Sequence, residues 1–187
     1  KREKVLLSDD ADYYRRCREK FIKPSEMPEK WNTPMNYGCP YDCGLCPSHE
    51  QHSCLTIIEL TDHCNLRCPI CYASSGPEHA ASYHSLEKVV EMPDLVVENE
   101  GEPDVVQISG GEPTLHPDLF DILDAANERP IRHVMLNTNG IRIANEEGFA
   151  ERLATYMPGF EVYLQFDSLS KEPQMRLRGA DLREVRR

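Results

Sequence analysis

One cysteine spacing is spelled twice. The stretches "CPYDCGLC" (39–46) and "CNLRCPIC" (64–71) place Cys39, Cys43 and Cys46, then Cys64, Cys68 and Cys71, at the same C-x3-C-x2-C intervals. Seven of the eight cysteines fall between Cys39 and Cys71, leaving Cys17 alone on a stretch that reads as a helix (8–22). Such clumping fits metal ligation in a reducing compartment better than a disulfide framework. The chain is therefore expected to be cytoplasmic and to fold around metal.

The two copies differ in the company they keep. Cys64, Cys68 and Cys71 offer three thiolates from one loop. Three is an awkward set for structural zinc, which takes four closed ligands, but it suits a cubane iron–sulfur cluster with one iron left open. The first copy is joined by Cys54, and four thiolates can close a [4Fe–4S] cluster or a mononuclear zinc or iron site. His49 and His52 stand nearby as alternative ligands, and spacing leaves these choices open.

Around the cysteines, strand and helix patterns alternate. A short β-branched apolar run, "LTIIEL" (55–60), has the pattern of a buried strand. It is followed by helical composition at 85–92 and 94–100, with Pro93 expected to kink or split the helix. Strand patterns recur at 104–109, 131–140 and 160–168, separated by helical stretches at 119–129 and 145–156. Strands joined by helical crossovers imply right-handed βαβ units and a parallel sheet, hence an α/β fold. In such sheets ligands sit beyond the carboxyl ends of the strands. Cys64–Cys71, Gly110–Thr114 and Asn137–Gly140 come after the first three strands, and Gln165 and Asp167 lie at the end of the fourth, so four unusual loops should gather on one face.

Composition removes some function classes. The 187 residues carry a net charge of −11, which disfavours a chain built to grip nucleic-acid phosphates. No apolar run approaches the roughly 20 residues that span a bilayer, and "KREKVLLSDD" lacks the apolar core of a signal peptide. The first residue is Lys, and "GADLREVRR" reads as an opening helix, so a longer parent chain is expected.

The pairing of "CNLRCPIC" with "SGGEPT" at the ends of adjacent strands resembles the radical S-adenosylmethionine (SAM) superfamily, over roughly residues 55–170. The resemblance implies a partial (β/α)6-type barrel, with about four parallel strands present, preceded by a cysteine-rich irregular metal-binding segment. It divides the chain into 1–54 (helix, linker and four-cysteine auxiliary segment) and 55–187 (the N-terminal part of the radical SAM core). It implies that Cys64, Cys68 and Cys71 hold a [4Fe–4S] cluster whose open iron is chelated by SAM. Reductive cleavage of SAM would then give a 5′-deoxyadenosyl radical that abstracts hydrogen from a substrate.

Further residues carry over by position. Gly110, Gly111, Glu112 and Pro113 resemble the segment that binds the methionine amino group, largely through backbone groups. Glu112 has a second reading, a carboxylate bonded to nearby backbone; its place between two glycines and a proline favours the first. Asn137 and Asn139 of "NTNG" resemble the segment approaching the ribose, and Gln165 and Asp167 are the matching polar residues on the fourth strand. Ile70 stands where the family often has an aromatic residue. The family's later strands are missing here, which would leave the fourth strand as an exposed edge. His116 is expected to line a loop or start a helix.

The segment "CPYDCGLCPSHEQHSC" is similar to a group that includes archaeal tetraether lipid synthase and a pterin methyltransferase. That likeness implies a second [4Fe–4S] cluster at Cys39, Cys43, Cys46 and Cys54, with mononuclear iron or zinc as the alternative. The reaction implied is C–C bond formation or methylation on a small-molecule, lipid or peptide substrate, with an electron donor such as ferredoxin or flavodoxin. Two other functions are carried alongside: a peptide-modifying or cofactor-maturing radical SAM enzyme, and a non-catalytic zinc or iron–sulfur protein.

Overall fold

A computed structural model describes residues 12, 36, 37, 53–79 and 82–185. The helix expected over 8–22 lies outside these residues except at Asp12, which is helical. Four strands, β1 (Thr56–Glu59), β2 (Val105–Ser109), β3 (His133–Thr138) and β4 (Phe160–Leu164), form one sheet in the order β1-β2-β3-β4. Every neighbouring pair is parallel. Each crossover returns the chain to the next position on the same side, so the sheet grows as successive barrel staves and has no reversal of order. This is a partial (β/α) barrel, as the alternation of strand and helix patterns predicts.

The register explains which face is the core. Ile58, Ile108 and Leu136 are aligned across β1, β2 and β3, and Val106, Val134 and Phe160 form the adjoining row. All six are buried. They pack against Val89 of α1 (Leu86–Glu100), Leu119, Ile122, Leu123 and Ala126 of α2 (Leu119–Asn127), and Phe149 and Leu153 of α4 (Phe149–Ala154). Residues between them point the other way because side chains alternate along a strand. That second face carries Ile57, Gln107, Met135 and Glu161, then Glu59, Ser109, Asn137 and Tyr163. The reading of β1 as fully buried is corrected here: Ile57 is 50% exposed, and Ile58 is the one buried residue of the strand.

Further expectations change. Helix α1 runs unbroken through Pro93, which is buried within it. Proline removes one amide donor and presses on the preceding turn. At this point Arg129, just beyond α2, forms a two-pronged ion pair with Asp94 (2.7 and 2.8 Å) and donates to the Val90 carbonyl at 3.4 Å. Packing and this brace carry the helix past the proline. The helix expected over 145–156 is two pieces, α3 (Ile141–Asn145) and α4, because Gly148 turns the chain at φ +79°.

After β4, an unanticipated helix, α5 (Lys171–Arg178), ends at Gly179 with φ +69°. Of the stretch expected to open a helix, 179–187, the described residues are not helical: 183–185 form a turn, and Leu182 is buried against Cys64 and Leu66. β4 ends at Leu164, four residues earlier than expected, and its Val162, Tyr163 and Leu164 are exposed, the open edge that a partial barrel entails. Among the described residues, no helix is long and apolar enough to cross a membrane.

Candidate cluster and cofactor site

The cysteine loop leaves β1 through backbone that is fully occupied. Leu60 extends the β1–β2 ladder by donating to the Ser109 carbonyl (2.9 Å), and Thr61 donates its hydroxyl to the Ser82 carbonyl (2.6 Å) while accepting from the His63 amide (3.0 Å). Inside the loop, the Cys64 sulfur accepts from the Leu66 amide at 3.4 Å. Cys64 is buried, Cys68 and Cys71 are half-buried, and all three are free thiols.

The Gly-Gly-Glu-Pro turn is stacked directly on this loop. The Gly111 amide donates to the Thr61 carbonyl (2.6 Å) and the Glu112 amide to the His63 carbonyl (2.9 Å). No side chain fits between the two loops: a Cβ on Gly110 would lie 2.5 Å from the Thr61 oxygen, and one on Gly111 would lie 2.2 Å from the His63 oxygen. Gly110 also holds φ at +126°, where a side chain is strained. The Gly111 and Glu112 amides are thus both turned to the cysteine loop, and Gly110, Gly111 and Glu112 line the cavity beside it.

Glu112 anchors the third loop. Its Oε1 accepts from the Thr114 amide (3.2 Å), the Thr114 hydroxyl (2.5 Å) and the Thr138 hydroxyl (2.6 Å), and its Oε2 accepts from the Asn139 amide (2.8 Å). The side chain is 1% exposed. Glu112 borders the cavity, and its carboxylate is occupied by protein donors, which is the second of its two readings. Pro113 starts the short 3₁₀ turn Pro113–Leu115 beneath it, where the absent amide costs nothing.

Asn139 donates to Asn65 in the cysteine loop (2.7 Å), and its side-chain oxygen accepts from the Ile141 amide at 3.0 Å, opening α3. Asn137 donates to the Ser109 hydroxyl (3.1 Å), and Gln165 donates to Asn137. The Gln165 amide extends the β3–β4 ladder by donating to the Thr138 carbonyl (2.9 Å).

These residues border one cavity of about 240 Å³, which the three cysteines share with Gly110, Gly111, Glu112, Asn137, Asn139, Gln165 and Asp167. Pro113 lies below it. Ile70 and Tyr72 stand exposed at its mouth. Sequence reasoning missed Arg178, the last residue of α5, which also lines the cavity and pairs with Asp167. Its signal would have been a basic residue ending a helix just before glycine, but α5 itself went unrecognised.

The electrostatics describe what this cavity wants. Burial pushes the Cys64 thiol up to about 11, partly opposed by the Leu66 amide and reinforced by Glu112, Cys68 and Cys71. Burial also raises Cys68, while the neighbouring Arg178 pulls it down. Three sulfurs that share a buried space as thiolates need a positive body among them, and an iron–sulfur core provides one. Among the described residues, no three His, Cys, Asp or Glu side chains are gathered tightly enough around one point for a single ion. The donor set, three free thiols lining one cavity, fits a [4Fe–4S] cluster.

Elsewhere, His116 is buried at the start of α2: its Nδ1 accepts from the Asp118 amide (3.1 Å) and its Nε2 meets the His84 carbonyl (2.8 Å). This is the helix-start role expected for it. Of the four-cysteine segment, Cys54 is an exposed free thiol, and Cys39, Cys43 and Cys46 lie outside the described residues.

A parallel partial barrel with a three-cysteine loop after its first strand and a glycine-rich turn after its second is the architecture of SAM-dependent iron–sulfur proteins. The family description "Radical SAM superfamily" matches residues 58–187, and the chain belongs to that superfamily. It is 35% identical, over 98% of its length, to 7,8-dihydro-6-hydroxymethylpterin dimethyltransferase of Methanocaldococcus jannaschii, and spans 35% of that protein. It is 34% identical, over 65% of its length, to the antilisterial bacteriocin subtilosin biosynthesis protein AlbA of Bacillus subtilis, and spans 26% of it. Among solved structures, native anSMEcpe with bound AdoMet and Cp18Cys peptide superimposes with a TM-score of 0.53 at 25% identity, covering 71% of this chain and 37% of that one. The chain thus spans about a third or less of these curated relatives.

Proposed function

We propose that this chain carries the SAM-cleaving core of a radical SAM enzyme, with residues 55–187 forming the N-terminal part of the barrel. Cys64, Cys68 and Cys71 are the ligands of its [4Fe–4S] cluster. The observation that carries this reading is the bonding of the Gly-Gly-Glu-Pro turn onto the cysteine loop, which sets the three thiols and the glycine turn around one cavity. When bound, the cluster and SAM supply one-electron reductive cleavage and hydrogen abstraction from an unactivated carbon.

The residues of the chain position that chemistry. Gly110 and Gly111 present carbonyls to the SAM amino group, and Asn137, Asn139 and Gln165 form the polar wall that faces the ribose. Leu66 and Leu182 close the cysteine loop from behind, keeping water from the sulfurs. An electron donor of the ferredoxin or flavodoxin type in a reducing cytoplasm completes the requirement. Residues 1–54 form a separate segment in which Cys39, Cys43, Cys46 and Cys54 hold a second, coordinatively complete cluster. In support, similarity to the pterin dimethyltransferase runs through that segment, whereas similarity to AlbA covers 65% of the chain. This favours a small-molecule methyl-transfer reaction. The AlbA and mycofactocin maturase MftC matches favour a peptide-modifying enzyme as the second reading.

Anaerobic iron–sulfur reconstitution of the full chain tests the proposal, with iron and sulfide counted and EPR recorded before and after SAM. Two cubanes are expected, one of them perturbed by SAM. Cys68→Ala should lose the SAM-sensitive signal and retain the other. Zinc without sulfide would overturn the reading.

A further inference from the structure

Arg178 is held at the cysteine loop by two independent constraints. The first is its backbone position: a Cβ on the next residue, Gly179, would lie 2.6 Å from the Arg67 carbonyl oxygen and 3.7 Å from Pro69, the two neighbours of Cys68. The second is its side chain. The guanidinium pairs with both Asp167 oxygens, Nη2 to Oδ1 at 3.0 Å and Nε to Oδ2, and Nη2 also donates to Gln165 Oε1 at 3.3 Å. This planar clamp holds the charge on the wall of the cavity that Cys68 also lines, one residue before the glycine that abuts both neighbours of Cys68.

We propose that Arg178 is a positioning residue for the cluster, whose guanidinium, clamped by Asp167 and Gln165, faces the Cys68 sulfur and raises the cluster's reduction potential. The inference rests on the reading of Cys68 as a cluster ligand. Reduction adds negative charge to the cluster and its thiolates, so a fixed cation beside one sulfur favours the reduced form. Net charge and hydrogen bonding at the sulfurs are established controls of iron–sulfur potentials. Asp167 carries the opposite charge and opposes the effect, so loss of either partner should move the potential in opposite directions. A purely structural tie between the end of β4 and α5 would not need the cavity-facing position.

The test uses the anaerobically reconstituted full chain, wild type, Arg178→Met and Arg178→Lys, with iron and sulfide counted for each. Midpoint potentials are measured by EPR-monitored dye titration without SAM. Arg178→Met is expected to lower the reduced fraction at fixed potential about tenfold, which is about 59 mV for a one-electron couple. Arg178→Lys should fall between. Should Arg178→Met fail to retain its cluster, Asp167→Asn decides: removing the counter-charge while keeping the arginine should raise the midpoint. An unmoved midpoint in the informative variant overturns the proposal, as does a shift that appears only after SAM is added, which would place the arginine's action on SAM. Wild-type protein that takes up no iron and sulfide would instead overturn the ligand assignment beneath it.

Discussion

Replacing Glu112 with glutamine changes one atom and puts the link between two loops at stake. The native carboxylate receives only donors, three at Oε1 and one at Oε2, and two of these are backbone amides. An amide side chain has one acceptor oxygen. If that oxygen sits at the Oε1 position, the new NH₂ faces the Asn139 amide. If it sits at Oε2, the NH₂ faces the Thr114 amide, although the threonine hydroxyls can rotate to accept. Either orientation strands one buried backbone N–H, which costs about 1–3 kcal/mol. The remaining bonds lose their charge assistance, which is roughly half their strength. The sum is a destabilisation of about 3 kcal/mol, or a fall in Tm of roughly 6–12 °C for a domain of this size. Urea unfolding of the metal-free, reduced protein measures it, and iron uptake by Glu112→Gln should drop in parallel. A variant within about 0.5 kcal/mol of wild type would refute the claim that Glu112 ties the second and third loops together.

Gly111→Ala forces a Cβ to 2.2 Å from the His63 oxygen, a backbone atom with no freedom to yield, so the loops must separate; cluster loading on reconstitution should be lost while the far-ultraviolet circular dichroism stays near native. The metal-free protein should also lose stability as pH rises. Cys64 holds its proton to about 11 in the folded state against an ordinary value of 9.0, so the unfolded chain releases that proton first. Stability is then unchanged below about pH 8 and falls between 9 and 11, by up to about 3 kcal/mol. Denaturation at pH 7.5, 9 and 10.5 should show this slope, and Cys64→Ser should flatten it; equal slopes would refute the assignment.

The strands were legible because their β-branched runs are short and bounded by turn residues, and because each is followed by a loop of unusual composition. That same composition located every cavity residue that comes directly after a strand. What stayed hidden was settled by distant parts of the chain. Pro93 was read as a kink or a split because the sequence does not reveal that Arg129, 36 residues later, braces that turn. Ile57 was read as core because an apolar run does not say which face of a barrel stave is covered. Helix α5 has only Met175 and Leu177 as large apolar residues among its charges, and its third residue is proline. Its helical state depends on a glycine stop and on the fit of that stop against Arg67, a relation with no local periodicity.

That fit also sets an order of events during synthesis. The cysteine loop emerges from the ribosome early, yet Gly179 and Leu182, which pack against Arg67, Cys64 and Leu66, are made more than a hundred residues later. At typical elongation rates the interval is on the order of ten seconds. Through that interval the three thiols have their ligand spacing but not their cover. The segment that covers the cysteine loop therefore reaches it only after β2, β3 and β4 have all been made.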